Sequence, residues 1–259
     1  LSEDLIEKTA DFLYKDFFKK GKPLERIASV FGGRRPSLFL RRALSKRIKK
    51  GFIPPVTFSI DEFMEYLVSK NPLNRINELD ASYHIYKLAE RIAPSILKGR
   101  DTFNDFLPWA REIVSFIEQL DLENIENKSL KSIQKSAEIG FEIPENINLL
   151  LQHIIKIREA YHAILHKKGL YSRGTIYLNA SKAIDRKSLK EFDKILFCDL
   201  YYLHETEQKV IKNIFEKEKG ICIFHGSQDN WSVLKKNAKM LNTSIKPENK
   251  ESEKYKLNI

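Results

Sequence analysis

The sequence predicts an α/β protein, with a parallel sheet that an all-helical insertion interrupts. Three short runs of β-branched and aromatic residues, 175–178, 194–198 and 220–224, alternate with helical patterns, which is typical of parallel strands. Between residues 61 and 167 the apolar residues recur almost wholly at helical spacing. With 259 residues, the chain is long enough to bury a full core in one large domain or two smaller ones.

The first sixty residues predict a helix, a strand, a second helix and an extended segment. Apolar residues recur at helical spacing over 3–19, and the apolar run 27–31 predicts the first strand. The loop Gly32-Gly33-Arg34-Arg35 follows, and Pro36 suits the first position of the next helix. Residues 52–58, which Pro54 and Pro55 interrupt, are predicted to be a short extended segment.

The remaining helices divide the chain into three predicted regions. Helices are expected at 61–69, 77–98, 101–121, 128–140, 145–167, 179–191, 204–218 and 231–241. The first part of the α/β domain is therefore predicted at 1–60, the helical insertion at 61–168, and the second part of the α/β domain at 169–259. Since the chain starts without Met and stops in an apolar stretch, we expect it to be a fragment of a longer protein.

The composition argues against secreted and membrane classes. Only two cysteines occur, Cys198 and Cys222, and each lies inside an apolar run, which does not suit a disulfide scaffold and fits a reducing compartment. No run approaches the roughly 18 apolar residues of a membrane span. The acidic, amphipathic start of the chain is not a signal peptide. We therefore expect a cytoplasmic protein without a membrane partner.

The positive charge of the chain is concentrated in one segment. The formal net charge is +10, and residues 19–50 alone contain twelve Lys or Arg residues and a single acid, Glu25. Residues 101–150 have the opposite character, with ten acids and four basic residues. A confined basic excess indicates a surface that faces a polyanion. The alternative is a solvated helix face that happens to be basic.

The second helix places most of this charge on one face. Intervals of seven, four and three residues separate Arg35, Arg42, Lys46 and Lys49, so these four share one outward face of the helix. An apolar stripe with intervals of four residues faces the core. Cations on a helix beside a loop suit contacts to phosphates, which position nucleic acid without reading its sequence. The alternative is an ion pair between Arg41 or Arg42 and the acidic helices. The predicted nucleic-acid site consists of Arg34, Arg35, Ser37, Arg41, Arg42, Lys46 and Lys49.

Four segments in this order resemble a known family. The segments SVFGGRRPSLFLRRAL and PPVTFSIDEFMEYL resemble the start of AddB-like subunits of bacterial helicase–nucleases. The segment KILFCDLYYLHETEQKVI is similar to a Walker B region, and GICIFHGSQDNWS is similar to the strand that follows it in UvrD-type helicases. The order of the segments and the helical insertion between them match a UvrD-like first domain.

This resemblance implies a protein that processes DNA ends in double-strand-break repair and recombination. Such proteins typically carry a PD-(D/E)XK nuclease domain near the C-terminus and work with an AddA-like helicase subunit. The resemblance implies binding to DNA, chiefly single-stranded, and a fold that is kept without its ATPase activity. No nuclease region is visible in this sequence, so the parent protein is expected to be the hydrolase and no catalytic residue is assigned here.

The residues that would support ATP hydrolysis are incomplete. No Gly-rich loop ending in Gly-Lys-Ser/Thr occurs in the chain. Asp199 is a residual Walker B-like residue, but Leu200 stands where active helicases have the Glu that orients water. Gln228 and Asp229 resemble parts of a nucleotide sensor. An ordinary strand-end turn and an ordinary loop explain the same residues.

These gaps leave three functional hypotheses open. The first is the non-catalytic DNA-binding region just described, which needs no cofactor or metal. The second is an active P-loop NTPase that uses ATP and magnesium through a phosphate loop before residue 1. The third is a protein-interaction scaffold. Among the aromatic residues, Trp231 with Tyr201 and Tyr202 could stack a base, although packing against the sheet edge is the alternative.

Overall fold

The computed structural model describes residues 5–69, 72–131, 145–226 and 231–244, which form two compact units. The sheet unit takes in the described residues of Leu1–Ile60, Ser188–Leu203 and Val210–Ile259. The helical unit takes in those of Asp61–Lys187 and His204–Lys209. The boundary predicted at residue 168 therefore lies inside the helical unit, which continues for nineteen residues beyond it, to Lys187.

The sheet unit contains a four-stranded parallel sheet, which confirms the predicted α/β class. The strands are β1 (Ile27–Phe31), β2 (Val56–Ser59), β3 (Lys194–Cys198) and β4 (Gly220–Ile223), in the spatial order β2-β1-β3-β4. Every pair is parallel, and Phe31 of β1 is in register with Cys198 of β3. The connections from β1 to β2 and from β3 to β4 diverge from the centre of the sheet. The loops after β1 and β3 therefore lie side by side at its carboxyl edge, where open parallel sheets bind ligands.

Most helices have bounds within a few residues of those predicted. In chain order they are α1 (Leu5–Asp16), α2 (Arg35–Ile48), α3 (Ile60–Val68), α4 (Glu78–Ile92), α5 (Phe103–Leu122), α6 (Glu145–Lys168), α7 (Arg173–Ala183), α8 (Glu205–Glu216) and α9 (Ser232–Met240). Residues 127–131 are also helical, and the rest of the helix predicted at 128–140 lies outside the described residues. Within the described part of the chain, no helix combines the length and the apolar character that crossing a bilayer requires.

One face of α2 packs on α1 and on the sheet. The predicted stripe Leu40, Leu44 and Ile48 is buried, as is Leu13 of α1. These residues belong to one apolar cluster with Phe31 and with residues of β3. Burial of the stripe fixes the rotation of α2 about its axis, so the residues on its opposite side must face solvent.

The run 175–178 is not a strand, contrary to the prediction from sequence, because it lies within α7. Ser172 and Thr175 form a capping box, in which each side chain bonds the backbone N–H of the other. Buried Ile176 and Ala180 then recur at the i, i+4 spacing of a helix. The helix predicted at 179–191 is also wrong in its bounds, since α7 ends at Ala183.

A charged network lies inside the helical unit. The carboxylate of Asp121 on α5 is fully buried and accepts hydrogen bonds from Arg158 Nη2 at 2.6 Å and Nε at 3.0 Å. Its second oxygen is 2.8 Å from His162 Nε2. Arg158 Nη1 also donates to the carbonyl oxygen of Ile125 at 2.8 Å. A buried ion pair with this many hydrogen bonds holds α6 on α5.

Candidate nucleic-acid interface

The loop that follows β1 is open to solvent. Gly32, Gly33 and Arg34 are all exposed. A Cβ built on Gly33 would meet no atom within 4 Å, and one built on Gly32 would lie 3.9 Å from Leu200 Cδ2. Because Leu200 follows β3, the loops after β1 and β3 lie close together at the carboxyl edge of the sheet. The glycines leave room for the backbone of a ligand to approach.

The first turn of α2 carries no negative charge. The helix begins at Arg35, one residue earlier than predicted, and Arg34 precedes it without a side-chain cap. No acid lies in the first turn, and Pro36 removes one N–H that would otherwise need a partner. The partial positive charge of the helix start therefore adds to that of Arg34 and Arg35.

Three cations form a line along the outward face of α2, which we call the cationic stripe: Arg35, Arg42 and Lys46. All three are exposed, and intervals of seven and four residues place them on one side of the helix. In the described part of the chain, none of them has a carboxylate within ion-pair distance. Lys49, predicted to share this face, lies just beyond the helix end in a left-handed conformation with φ 54°.

Two other predicted site residues, Ser37 and Arg41, differ in how many hydrogen-bond donors they have left for a ligand. The Ser37 hydroxyl donates to the carbonyl oxygen of Arg34 at 2.6 Å, and the Ser37 N–H donates to the same oxygen at 3.3 Å. Both donors of Ser37 are thus used within the turn. Arg41 is exposed and has one long contact of 3.5 Å, from Nη2 to Thr57 Oγ1, so most of its guanidinium is available.

Arg47, on the inner side of α2, was not singled out from sequence. Its guanidinium is 2.7 Å from the Glu7 carboxylate and 2.6 Å from the Asp11 carboxylate, both on α1. The hydrogen bond from Arg47 lowers the pKa of Asp11. The acids of α1 are the feature of the sequence that could have indicated an ion pair with α2. Only the packing of the two helices shows that Arg47 is the arginine that they contact. Arg47 therefore joins helices, whereas the cationic stripe faces solvent.

Asp199, the predicted Walker B-like residue, connects two loops. Its backbone has φ 59°, and its carboxylate accepts a hydrogen bond from the Tyr201 hydroxyl and one from the His225 N–H at 3.3 Å. The Tyr201 hydroxyl also contacts the His225 carbonyl oxygen at 2.7 Å. Burial, and then the bond to Asp199, raises the pKa of Tyr201. This arrangement matches the alternative interpretation of Asp199 as a strand-end turn residue.

The remaining predictions concern the loop after β4. Gln228 and Asp229, the predicted sensor-like residues, lie outside the described residues. Trp231 packs on Tyr201, with 5.3 Å between the ring centroids. In the described residues no group of three or more His, Cys, Asp or Glu side chains is arranged to hold a metal ion.

Comparison with known proteins does not assign the chain to a family. No protein-family model matches the chain. A search of curated proteins likewise gave no match. The residues of the sheet unit themselves are therefore the basis for a functional hypothesis.

Proposed function

We propose that the sheet unit binds DNA through the cationic stripe and the loop after β1. In this proposal the chain is the non-catalytic, helicase-like region of an AddB-like exonuclease that acts in double-strand-break repair and recombination. One observation carries the proposal: three exposed cations lie in line on one helix and no described acid neutralises them. Cations placed in this way suit the phosphates of a nucleic-acid backbone.

The dimensions of the stripe fit a polyanion with closely spaced charges. Arg35 and Lys46 are eleven residues apart, which corresponds to about 16 Å along a helix axis. Successive phosphates of one strand follow at about 3.4 Å of axis in B-DNA, so the stripe spans several of them. A single small anion would need only one of these side chains. An extended polyanion is therefore the ligand that uses all three.

Two features support the non-catalytic part of the proposal. The Asp199 carboxylate is already bonded to Tyr201 and His225. Leu200, in the position where an active helicase needs Glu, is buried beside Gly32 and serves as a packing residue. A leucine cannot accept a proton from an attacking water. ATP hydrolysis at this site, the nuclease domain and the AddA-like partner belong to hypotheses about the whole protein.

The proposal is tested by removing the stripe and measuring affinity for DNA. The variant Arg35→Ala/Arg42→Ala/Lys46→Ala should bind a fluorescent single-stranded oligonucleotide about tenfold more weakly or worse at roughly 0.1 M salt. The measurement is fluorescence anisotropy on the whole chain. A matched control replaces three exposed lysines of the helical unit, Lys128, Lys156 and Lys167, by Ala. Equal affinity of both variants would contradict the proposal, because net charge alone would then explain binding.

A further inference from the structure

A cleft opens between α6 and α7, inside the helical unit. Its volume is about 300 Å³, at the lower end of the range of pockets that bind small molecules. The walls combine apolar side chains, among them Leu165 and Leu178, with polar side chains from both helices. None of the described residues that line the cleft is acidic. The cleft therefore suits a ligand that has an apolar body and a negative charge.

The turn that joins α6 to α7, along one side of the cleft, has a fixed shape. Gly169 follows α6 in the left-handed conformation, with φ 62°, and its N–H donates to the His166 carbonyl oxygen at 3.1 Å. The Tyr171 N–H then donates to the Asn74 carbonyl oxygen at 2.9 Å, and the Tyr171 carbonyl oxygen accepts from the Ile76 N–H at 2.9 Å. Because this backbone is already hydrogen-bonded, the cleft needs no ligand to hold its shape.

Three polar side chains of the cleft have unused hydrogen-bonding groups. His166 lies in the last turn of α6, and Asn179 and Lys182 lie three residues apart on α7. All three are exposed, and no side chain among them forms a hydrogen bond or an ion pair with a described residue. An ammonium group, an amide and an imidazole together supply several N–H donors. These donors face a common space that an anion can occupy.

A fourth polar side chain, His162, connects the cleft to the buried network of the helical unit. It lines the cleft, and its Nε2 is 2.8 Å from the Asp121 carboxylate. Because an ionised carboxylate only accepts, we assign the proton to Nε2, which leaves Nδ1 for another contact. The charge of Asp121 is itself paired with Arg158. The carboxylate behind this wall is therefore already neutralised and does not oppose an anion in the cleft.

We propose that this cleft binds a small phosphomonoester with an aromatic or alkyl group. A phosphomonoester carries a charge of about −1.5 to −2 at pH 7 and has three acceptor oxygens. These oxygens suit the donors of Lys182, Asn179 and His166, and charge-assisted hydrogen bonds are the strongest of their kind. The apolar group then packs on Leu165 and Leu178. A carboxylate, with two oxygens and one charge, would leave more of these donors unused.

Isothermal titration calorimetry with the whole chain compares phenyl phosphate, benzoate, inorganic phosphate and phenol. Phenyl phosphate should bind with a dissociation constant below about 1 mM, and each of the others at least about fivefold more weakly. Benzoate keeps the ring but offers a carboxylate, inorganic phosphate lacks the ring, and phenol lacks the charge. Absence of saturable phenyl phosphate binding would overturn the proposal, as would an equal affinity for any of the other three compounds.

A substitution at Lys182 tests whether the anion binds in the cleft. Lys182→Met keeps the apolar stem of the side chain and removes its charge. Its affinity for phenyl phosphate should be about tenfold weaker, as expected for the loss of a hydrogen bond to a charged group. Lys156→Met removes an exposed lysine of α6 that does not line the cleft, and this control should bind like the wild type. Equal affinities of the two variants would contradict the proposal. Circular dichroism checks that both are folded.

The cleft and the cationic stripe belong to different units, so each can fail without the other. The stripe variant Arg35→Ala/Arg42→Ala/Lys46→Ala should bind phenyl phosphate like the wild type, and Lys182→Met should keep its affinity for the oligonucleotide. Loss of phenyl phosphate binding in the stripe variant alone would place the anion on the stripe and overturn the cleft. Loss of oligonucleotide binding in Lys182→Met alone would overturn the stripe as the DNA site.

Nuclear magnetic resonance tests the location of the ligand on the wild-type chain, without any substitution. Addition of phenyl phosphate should shift the amide signals of residues 162–182, which line the cleft or form the turn beside it. Inorganic phosphate at the same concentration is the reference. Shifts confined to residues outside α6, α7 and their connecting turn would contradict the proposed site.

Discussion

One arginine of the helical unit and two arginines of the sheet unit have opposite surroundings. In the helical unit, Arg158 is almost fully buried and donates twice to Asp121, which is buried as well. In the sheet unit, Arg35 and Arg42 are exposed and face no described carboxylate. The same side chain is a structural element where a carboxylate lies within reach, and an available binding group where none does. Local pairing, not net charge, therefore identifies the candidate site.

Arg47 is intermediate between these two cases and lies on the same helix as the cationic stripe. Its side chain is 19% exposed and its two partners on α1 are about half exposed. Arg158, Arg47 and the cationic stripe thus form a series from buried and paired to exposed without a carboxylate partner among the described residues. The cost of removing each cation to the stability of the fold should decrease in that order.

The largest effect is expected at Arg158. Replacing it by Ala leaves the buried charge of Asp121 with only His162 as a described side-chain partner, so the free energy of unfolding should fall by about 3–5 kcal/mol. Urea denaturation followed by circular dichroism measures this change. Arg111→Ala, which breaks an exposed pair with Glu78, is the control and should cost less than about 1 kcal/mol. Similar losses in both variants would remove the distinction between buried and exposed pairs.

A smaller loss is expected at Arg47. Arg47→Ala should lower the free energy of unfolding by about 1 kcal/mol at neutral pH, because the two carboxylates that it pairs with are about half exposed. The loss should depend on pH. Arg47 lowers the pKa of Asp11 below its ordinary value of 3.8, so the stabilisation is present above that value and disappears as pH falls through the folded-state pKa.

Urea denaturation of the wild type and Arg47→Ala at a series of pH values tests this behaviour. The two curves of stability against pH should converge on the acid side of 3.8. Asp16→Ala, which removes the exposed partner of Lys20 at the end of α1, is the control. A difference between wild type and Arg47→Ala that stays constant across this pH range would show that Arg47 acts through packing instead.

Sequence patterns predicted the parts of the fold that depend on local spacing. The buried stripe of Leu40, Leu44 and Ile48 follows from the period of a helix, and its phase alone places Arg35, Arg42 and Lys46 outward. That phase also leaves Phe39 exposed beside the cations, although an apolar residue between Leu38 and Leu40 suggests a core position. The exposed ring was therefore within reach of the sequence.

Other features depend on contacts that no local pattern contains. The pair of Arg47 with Asp11 joins residues 36 positions apart. The run Thr175–Leu178 has the composition of a strand, but the capping box at Ser172 starts a helix there. The capping box and the burial of one helical face outweigh the strand propensity of these residues. The hydrogen bonds of Asp199 with Tyr201 and His225 likewise require the loops after β3 and β4 to be adjacent.

The smallest effect on stability is expected for the cationic stripe. Replacing Arg35, Arg42 and Lys46 by Ala should change the free energy of unfolding by no more than about 0.5 kcal/mol, since no described ion pair is lost. Urea denaturation measures this change beside that of the lysine control. A loss of several kcal/mol would mean that the stripe is structural, and its effect on DNA affinity would then carry no information about a site.

The salt dependence of DNA binding tests the central claim most directly. The logarithm of the affinity for a single-stranded oligonucleotide is plotted against the logarithm of the salt concentration for the wild type, the stripe variant and the lysine control. If each stripe residue neutralises one phosphate, the slope of the stripe variant should be smaller in magnitude than that of the wild type by about 2. The lysine control should keep the wild-type slope. Identical slopes for the wild type and the stripe variant would contradict the account.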